Sequence, residues 1–366
     1  MRETALEAVP DAITEVDVPV MLSPSRLLVA ESCSLRACLA ASSMVLPKHP
    51  RALLGSALHA TMQYLEDRAP TWEAVESEFE RHCAELLQAE GMSQEPLRDI
   101  VGFDTWNSVT TRLRQWFDDL PLDRPARRAP PAARASTAPA ALVGKEVWLE
   151  SSSLRLRGRV DQIEISDAGE IVVIDYKSGP VEDGRGVLKP EYVRQVMLYA
   201  LLVRQVVSSM PIRVVISGLE RHEIEFSEDD ERETRSWLID MLEQLPVGTN
   251  DAATMATPGP ACRWCRARPH CSAYSTSAPN LWKSTIDYVL PYDCWGDVVE
   301  ADVGTRTMIV RHEGGVMFRV EDVPEAALVC RRVAFFALVS REVGRLGRHP
   351  RNYQFDRRFG SAAYAM

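Results

Sequence analysis

The chain has 366 residues, 46% of them hydrophobic, with a formal net charge of −10 and eight cysteines. That length points to two or three domains, and the absence of a membrane-length apolar run or a secretory leader makes a cytosolic protein with reduced cysteines the expectation. The negative charge excludes a protein coated in basic surface but leaves room for a local basic channel that binds nucleic acid.

In chain order, residues 1–19 read as a loose acidic leader. Ser23–Ala40 (SPSRLLVAESCSLRACLA) begins on a capping-type serine and predicts one helix carrying Cys33 and Cys38. Arg51–Ala69 predicts a second helix, with Gly55 and His59 four apart and so on one face. A lone helical histidine is ordinarily a packed or exposed bystander. Trp72–Glu90 and Glu95–Asp119 have amphipathic spacing and many charges. They suit either a helical layer packed on the core or an arch that guides a strand, and spacing does not separate the two. Residues 20–120 thus form a helical region. Residues 121–143 read as a linker rich in Pro, Ala and Arg, whose Arg124, Arg127, Arg128 and Arg134 are either solvated or in reach of phosphate.

Lys145–Leu149 opens a sheet, and Gly158–Gly179 (GRVDQIEISDAGEIVVIDYKSG) follows as a β-hairpin around Ser166-Asp167-Ala168-Gly169. With the turn near Ala168, Ile165 faces Ile171, Ile163 faces Val173 and Asp161 faces Asp175; a one-residue slip in register would break this set. Lys177 shares the face of Asp175, two residues on. Paired carboxylates repel unless a proton or cation sits between them. Their oxygen donors suit Mg²⁺ or Mn²⁺, to which the Tyr176 backbone carbonyl can add, with Glu146 a weaker acidic neighbour. Lys177 is then placed to orient or deprotonate an attacking water. The plain alternative is a strand-end ion pair. Lys189–Gln205 has helical spacing, with Pro190 at its start and Gln195 and Tyr199 on one face. Ile212–Ser227 alternates as strand, and Glu228–Leu245 is a polar-faced helix.

Further on, PACRWCRARPHC places Cys262, Cys265 and Cys271 in a tight loop suited to a metal, one ligand short of four. Cys83, Cys294 and Cys330 have no partner at metal spacing. Residues 281–366 show short strands at Trp295–Val303, Arg306–His312, Gly315–Val320 and Arg331–Ser340, with a Gly314-Gly315 turn. They predict a small β-rich domain of barrel type, the OB fold being one form. From Arg331 onward, eight arginines face two acids, with Tyr353, Phe355, Phe359 and Tyr364 interleaved. That mixture suits nucleic acid slightly better than a protein interface.

Taken in order, Gly158/Asp161, Asp175/Lys177 and Gln195/Tyr199 match G-x-x-D, D/E-x-K and Q-x-x-x-Y. Over roughly residues 20–275 the chain resembles the RecB-like branch of the PD-(D/E)XK nucleases. The resemblance implies an α/β fold, with a restriction-endonuclease-like core of mixed sheet flanked by helices over residues 144–275. It implies that Asp161, Asp175, Lys177, Gln195 and Tyr199 are catalytic. His59, in G-x-x-x-H, joins Asp161, Asp175 and the Tyr176 carbonyl as a metal ligand. It also supplies the missing thiol: Cys33, Cys262, Cys265 and Cys271 match the four-cysteine pattern of members similar to CRISPR-associated exonucleases and AddB-type nuclease domains. These hold a [4Fe–4S] cluster, although the residues alone admit a Cys₄ zinc site equally. Cys38 is offset from the pattern.

The implied activity is a Mg²⁺- or Mn²⁺-dependent deoxyribonuclease acting on single strands or DNA ends, in repair, CRISPR adaptation or anti-phage defence. No G-x-x-x-x-G-K-[ST] loop is present, so a helicase or other partner is expected to open duplex. A non-catalytic DNA-binding or assembly subunit, and an RNase, also fit these residues. No signal bears on oligomeric state.

Overall fold

The computed structural model describes residues 5–64, 71–92, 95–118, 142–207, 210–218, 220–282, 293–340 and 351–366. The expected linker lies outside these residues, apart from Leu142 and Val143.

The middle of the chain builds a five-stranded mixed sheet. Its strands are β2 (Gly144–Ser151), β3 (Leu156–Ile165), β4 (Ile171–Tyr176), β5 (Ile212–Ser217) and β6 (Arg221–Glu225), and they lie side by side in that order. Only β4 and β5 pair in parallel. A parallel pair needs a crossover, and helix α7 (Pro190–Arg204) supplies it. The expected strand at 212–227 is thus two strands, β5 and β6, joined as a hairpin.

Burial explains the composition of these elements. β4 is apolar at consecutive positions because both of its faces are covered. Ile171 and Val173 join the main core, while Val172 and Ile174 meet Val215 on the other side. Every residue of α7 from Val196 to Val203 is buried. This helix touches β4 and β5 as well as α1 (Pro24–Ala30) and α8 (Glu228–Glu243). The Ser227/Asp230 capping box sets the start of α8.

The helix expected at 23–40 is two short ones, α1 and α2 (Ser34–Cys38). Cys33 sits between them, extended at φ −167°, as the residue that opens α2. The helix α3 (Pro50–Tyr64) packs with α4 (Trp72–Ala89), α5 (Leu97–Val101) and α6 (Phe103–Asp118) around a second core. The single helix expected at 95–119 breaks at Gly102, whose φ of +82° is cheap for glycine alone. These helices form a packed layer that reaches Tyr176 at the end of β4.

Residues 5–19, expected to be a loose leader, are instead tied in. Strand β1 (Glu15–Val18) pairs antiparallel with β7 (Gly248–Asp251), and Ala8 bridges Ala365. The rest of the chain runs through α9 (Ala252–Met255) and α10 (Ser272–Trp282) into a curled seven-stranded sheet. This sheet comprises β8 (Cys294–Asp302), β9 (Thr307–Arg311), β10 (Met317–Glu321), β11 (Arg332–Phe336), β12 (Val339–Ser340), β13 (Arg351–Gln354) and β14 (Ala362–Ala365). Seven strands exceed the five of an OB barrel.

The reading of its aromatics as a base-stacking face needs correction. Tyr353, Phe355 and Tyr364 are buried. They pack on Phe318, Phe335 and Phe336 respectively. Phe359 lies against His49. Burial of a large ring outweighs what an exposed stacking face would gain without a ligand. Among the described residues, no helix is long and apolar enough to cross a membrane.

Candidate active site

The β3–β4 hairpin has the register that its hydrophobic pattern requires, with Ile165 opposite Ile171 and Gln162 opposite Ile174. One step further, Asp161 and Asp175 come side by side. The ladder opens there: Asp161 Oδ2 accepts the Tyr176 backbone N–H at 2.7 Å. The Tyr176 hydroxyl donates to Gln162 Oε1 at 2.8 Å, fixing the ring away from the two carboxylates.

Two glycines let helices close on this strand end. A Cβ on Gly158 would lie 2.9 Å from Tyr199 Cε1 and 3.1 Å from Pro24 Cδ, so Gly158 admits both α7 and α1. A Cβ on Gly55 would lie 2.5 Å from Ser178 Oγ, so Gly55 lets α3 settle on the loop after Lys177. One turn later α3 delivers His59. Donor atoms of His59, Glu146 and Asp161 lie within 4.8 Å of one another.

Glu146 is the residue that sequence patterning underrated. It lies opposite Asp161, between the pairs Lys145–Gln162 and Val147–Val160, where the β2–β3 ladder is interrupted. Its φ of +50° is unusual for a side-chain-bearing residue, and such local strain is found at functional sites. It pairs with Arg159 at 2.5 Å. Its place depends on the β2–β3 register and on its own positive φ, which no local pattern signals.

Asp175 is 2% exposed. Lys177 Nζ stands 2.7 Å from its Oδ2, an ion pair made where water is excluded. The same ammonium donates to Gln195 Oε1 at 2.8 Å and lies over the Tyr192 ring. Tyr199, buried on α7, hydrogen-bonds Gln195. The Gln195/Tyr199 pair therefore braces Lys177.

Burial pushes Asp161 above the ordinary carboxylate range; the Tyr176 N–H opposes this and Glu146 adds to it. Asp175 is raised first by burial, with Lys177 opposing and Asp161 adding. Burial holds the His59 imidazole below its usual value, which keeps it neutral and able to coordinate. Two desolvated acids, the nearby Glu146 and a neutral imidazole form a donor set that a hard divalent cation fits.

A family model described as PD-(D/E)XK nuclease superfamily matches residues 21–272, more than half of the chain. The chain belongs to the PD-(D/E)XK nuclease superfamily. Members of this superfamily are metal-dependent nucleases. No curated protein matches the chain. Within the matched residues, the D-x-K triplet Asp175-Tyr176-Lys177 lies at the end of β4.

Cys33, Cys262, Cys265 and Cys271 line one small cavity of about 20 Å³, together with Leu35, Arg36 and Arg268. Cys262 Sγ accepts the Gly259 N–H and Cys271 Sγ the Tyr274 N–H, each at 3.4 Å. Cys265 accepts the Ala267 N–H. Burial raises all three thiols, and these hydrogen bonds pull the other way, toward thiolate. Cys38 is buried and Cys83 and Cys294 are core thiols, none of them at this cavity.

Proposed function

We propose that this protein is a Mg²⁺- or Mn²⁺-dependent deoxyribonuclease that hydrolyses phosphodiesters in single-stranded DNA or at DNA ends. The observation that carries this reading is the gathering of His59, Glu146 and Asp161 at one desolvated strand end, with the Asp175–Lys177 pair beside them. Asp161, Asp175, His59 and the Tyr176 carbonyl would hold the ion, with Glu146 as a further donor. The ion would supply charge neutralisation of the scissile phosphate and a more acidic water.

The remaining work belongs to the chain. Lys177, held by Gln195, orients the attacking water and meets charge developing on the phosphate. Tyr199 keeps Gln195 in place. The water oxygen forms a new P–O bond as the bond to the sugar oxygen breaks. One water proton ends on that leaving oxygen, giving a phosphate monoester and a hydroxyl. Resemblance further suggests a cytosolic role in repair, CRISPR adaptation or defence, beside a partner that opens duplex.

Cys33, Cys262, Cys265 and Cys271 would carry a [4Fe–4S] cluster, with zinc as the alternative. A tetrahedral Cys₄ zinc site brings its sulfurs to about 3.8 Å of one another. Among the described residues, no group of three donors within 4.8 Å includes a cysteine, so the thiols as placed are not gathered at single-ion spacing. Arg36 offers balancing charge, while Arg268 on the same lining is paired with Asp293. Such a cluster would staple the 29–39 segment to the 259–274 segment, a structural role. Metal analysis of anaerobically purified protein separates iron with sulfide from zinc.

The test of the activity is digestion of end-labelled single- and double-stranded DNA in Mn²⁺ or Mg²⁺, beside a Lys177→Ala variant. Cleavage by the wild type, lowered by a factor of at least ~100 in the variant, is expected. Absence of cleavage by both, with DNA still bound, would replace this reading with a non-catalytic binding subunit.

A further inference from the structure

The centre is flanked by two cavities. One, of about 630 Å³, opens on the His59, Glu146 and Asp161 side. The other, of about 580 Å³, opens on the Lys177 side and is lined by Arg112, Trp116, Lys145, Gln162, Tyr176 and Lys177 among others. Tyr176 and Lys177 on this lining belong to the D-x-K motif, but Arg112 and Trp116 belong to none.

Arg112 has an unusual environment. It is 6% exposed on α6. One of its amino groups donates to the Lys177 carbonyl at 2.9 Å, which ties it to the backbone of the D-x-K element. Its Nε is buried with no hydrogen-bond partner. Among the described residues no carboxylate pairs with it. Burial accordingly lowers its pKa, with only Tyr192 opposing. A buried guanidinium without a counter-ion is costly, and a chain that needed only to hold one carbonyl could do so with a neutral donor. Of the three acids on the same cavity wall, Asp118 pairs with Arg114, Glu164 accepts from the Gln162 amide, and the exposed Glu220 lies beside Glu182 and His222. Four residues along α6, Trp116 lies half-buried at the same cavity with the Lys145 ammonium 4.9 Å over its ring. A planar cation donor beside an indole is the pairing that binds a phosphate and stacks a base.

We propose that this cavity seats one nucleotide of the single strand next to the scissile phosphate. Arg112 pairs with its backbone phosphate, and Trp116 carries its base. The proposal rests on the nuclease reading and adds a subsite to it. The phosphate supplies the missing counter-ion. The contact to the Lys177 carbonyl then couples occupancy of the subsite to the position of the catalytic lysine. Arg112 is on this view both a substrate contact and a positioning residue.

The test is binding of a short fluorescent oligothymidine to the full-length protein across a salt series, in EDTA and again in Ca²⁺. Arg112→Gln removes the charge, Arg112→Lys keeps it, and Trp116→Ala removes the stacking surface. A lost phosphate contact lowers the slope of log affinity against log salt by about 0.7, and a merely structural loss leaves that slope alone. The expected result is affinity about tenfold weaker for Arg112→Gln with the lower slope, and the slope restored in Arg112→Lys. For Trp116→Ala, weaker binding at an unchanged slope is expected. If Arg112→Gln does not melt cooperatively, Arg112→Met takes its place, with the same expectation.

A folded Arg112→Gln protein that binds with wild-type affinity and slope overturns the subsite and leaves the nuclease reading intact. Wild-type protein that binds no oligonucleotide in either buffer overturns both.

Discussion

Asp161 and Asp175 show what a strand end can do to a carboxylate. Both are raised above their ordinary value of 3.8 by burial, so the folded metal-free protein holds protons there that the unfolded chain releases. The sign follows: the stability these groups contribute is present below the unfolded value and is lost as pH rises through the raised folded values. A divalent ion should replace those protons. We therefore expect Asp161→Asn to raise the melting temperature in EDTA more under mildly alkaline than under mildly acidic conditions. Mn²⁺ should stabilise only the wild type, and Mn²⁺ affinity should fall as the carboxylates protonate. Calorimetry on both proteins at several pH values checks this; equal shifts at all pH values would count against it. Glu146 makes a second prediction at the same scale. If it completes the donor set, Glu146→Gln lowers Mn²⁺ affinity by about tenfold, read by titration calorimetry, with the fold retained because its partner Arg159 is exposed.

The elements meet at two glycines, and their surroundings differ in a useful way. The atoms crowding Gly158 are a buried tyrosine ring and a proline, neither of which can swing aside. The atom crowding Gly55 is a serine hydroxyl that can rotate. Gly158→Ala should therefore cost about 1–3 kcal/mol in denaturant melts, and Gly55→Ala less. A reversed order would show that α7 and α1 are not held as tightly as this packing requires. The same comparison explains why hairpin and crossover helix were legible beforehand. Their alternation and helical spacing are local, and the register follows from burying Ile163, Ile171 and Val173 together. The break at Cys33 was not legible, because SPSRLLVAESCSLRACLA has no proline or glycine at the break. At the break Cys33 is extended and lines the cavity that it shares with the downstream cysteines.

Over the whole molecule, one buried cluster joins the cysteine segment to the C-terminal sheet. Asp293 is fully buried and accepts two hydrogen bonds from Arg268, at 2.6 and 2.9 Å, one from the Tyr274 hydroxyl and one from the Ala337 N–H. Removing one partner of such a pair strands a charge. Asp293→Ala should cost about 3–5 kcal/mol, measured by equilibrium unfolding, and should expose the 332–340 segment to hydrogen exchange. A change below about 1 kcal/mol would mean that water replaces the carboxylate.

The sequence by itself determined the mixed nuclease core and its order of motifs, because strand alternation, turn chemistry and helical spacing act over a few residues and report directly on burial. It also marked the four cysteines as candidates for one centre. Tertiary structure alone decided that Glu146 lies opposite Asp161, since that depends on the β2–β3 register and a residue at positive φ. Only packing turned Tyr353, Phe355 and Tyr364 inward, away from the stacking role their composition suggested. And only the docking of α6 on the sheet put an unpaired arginine behind Lys177, a placement spanning 65 residues of chain for which no local pattern exists.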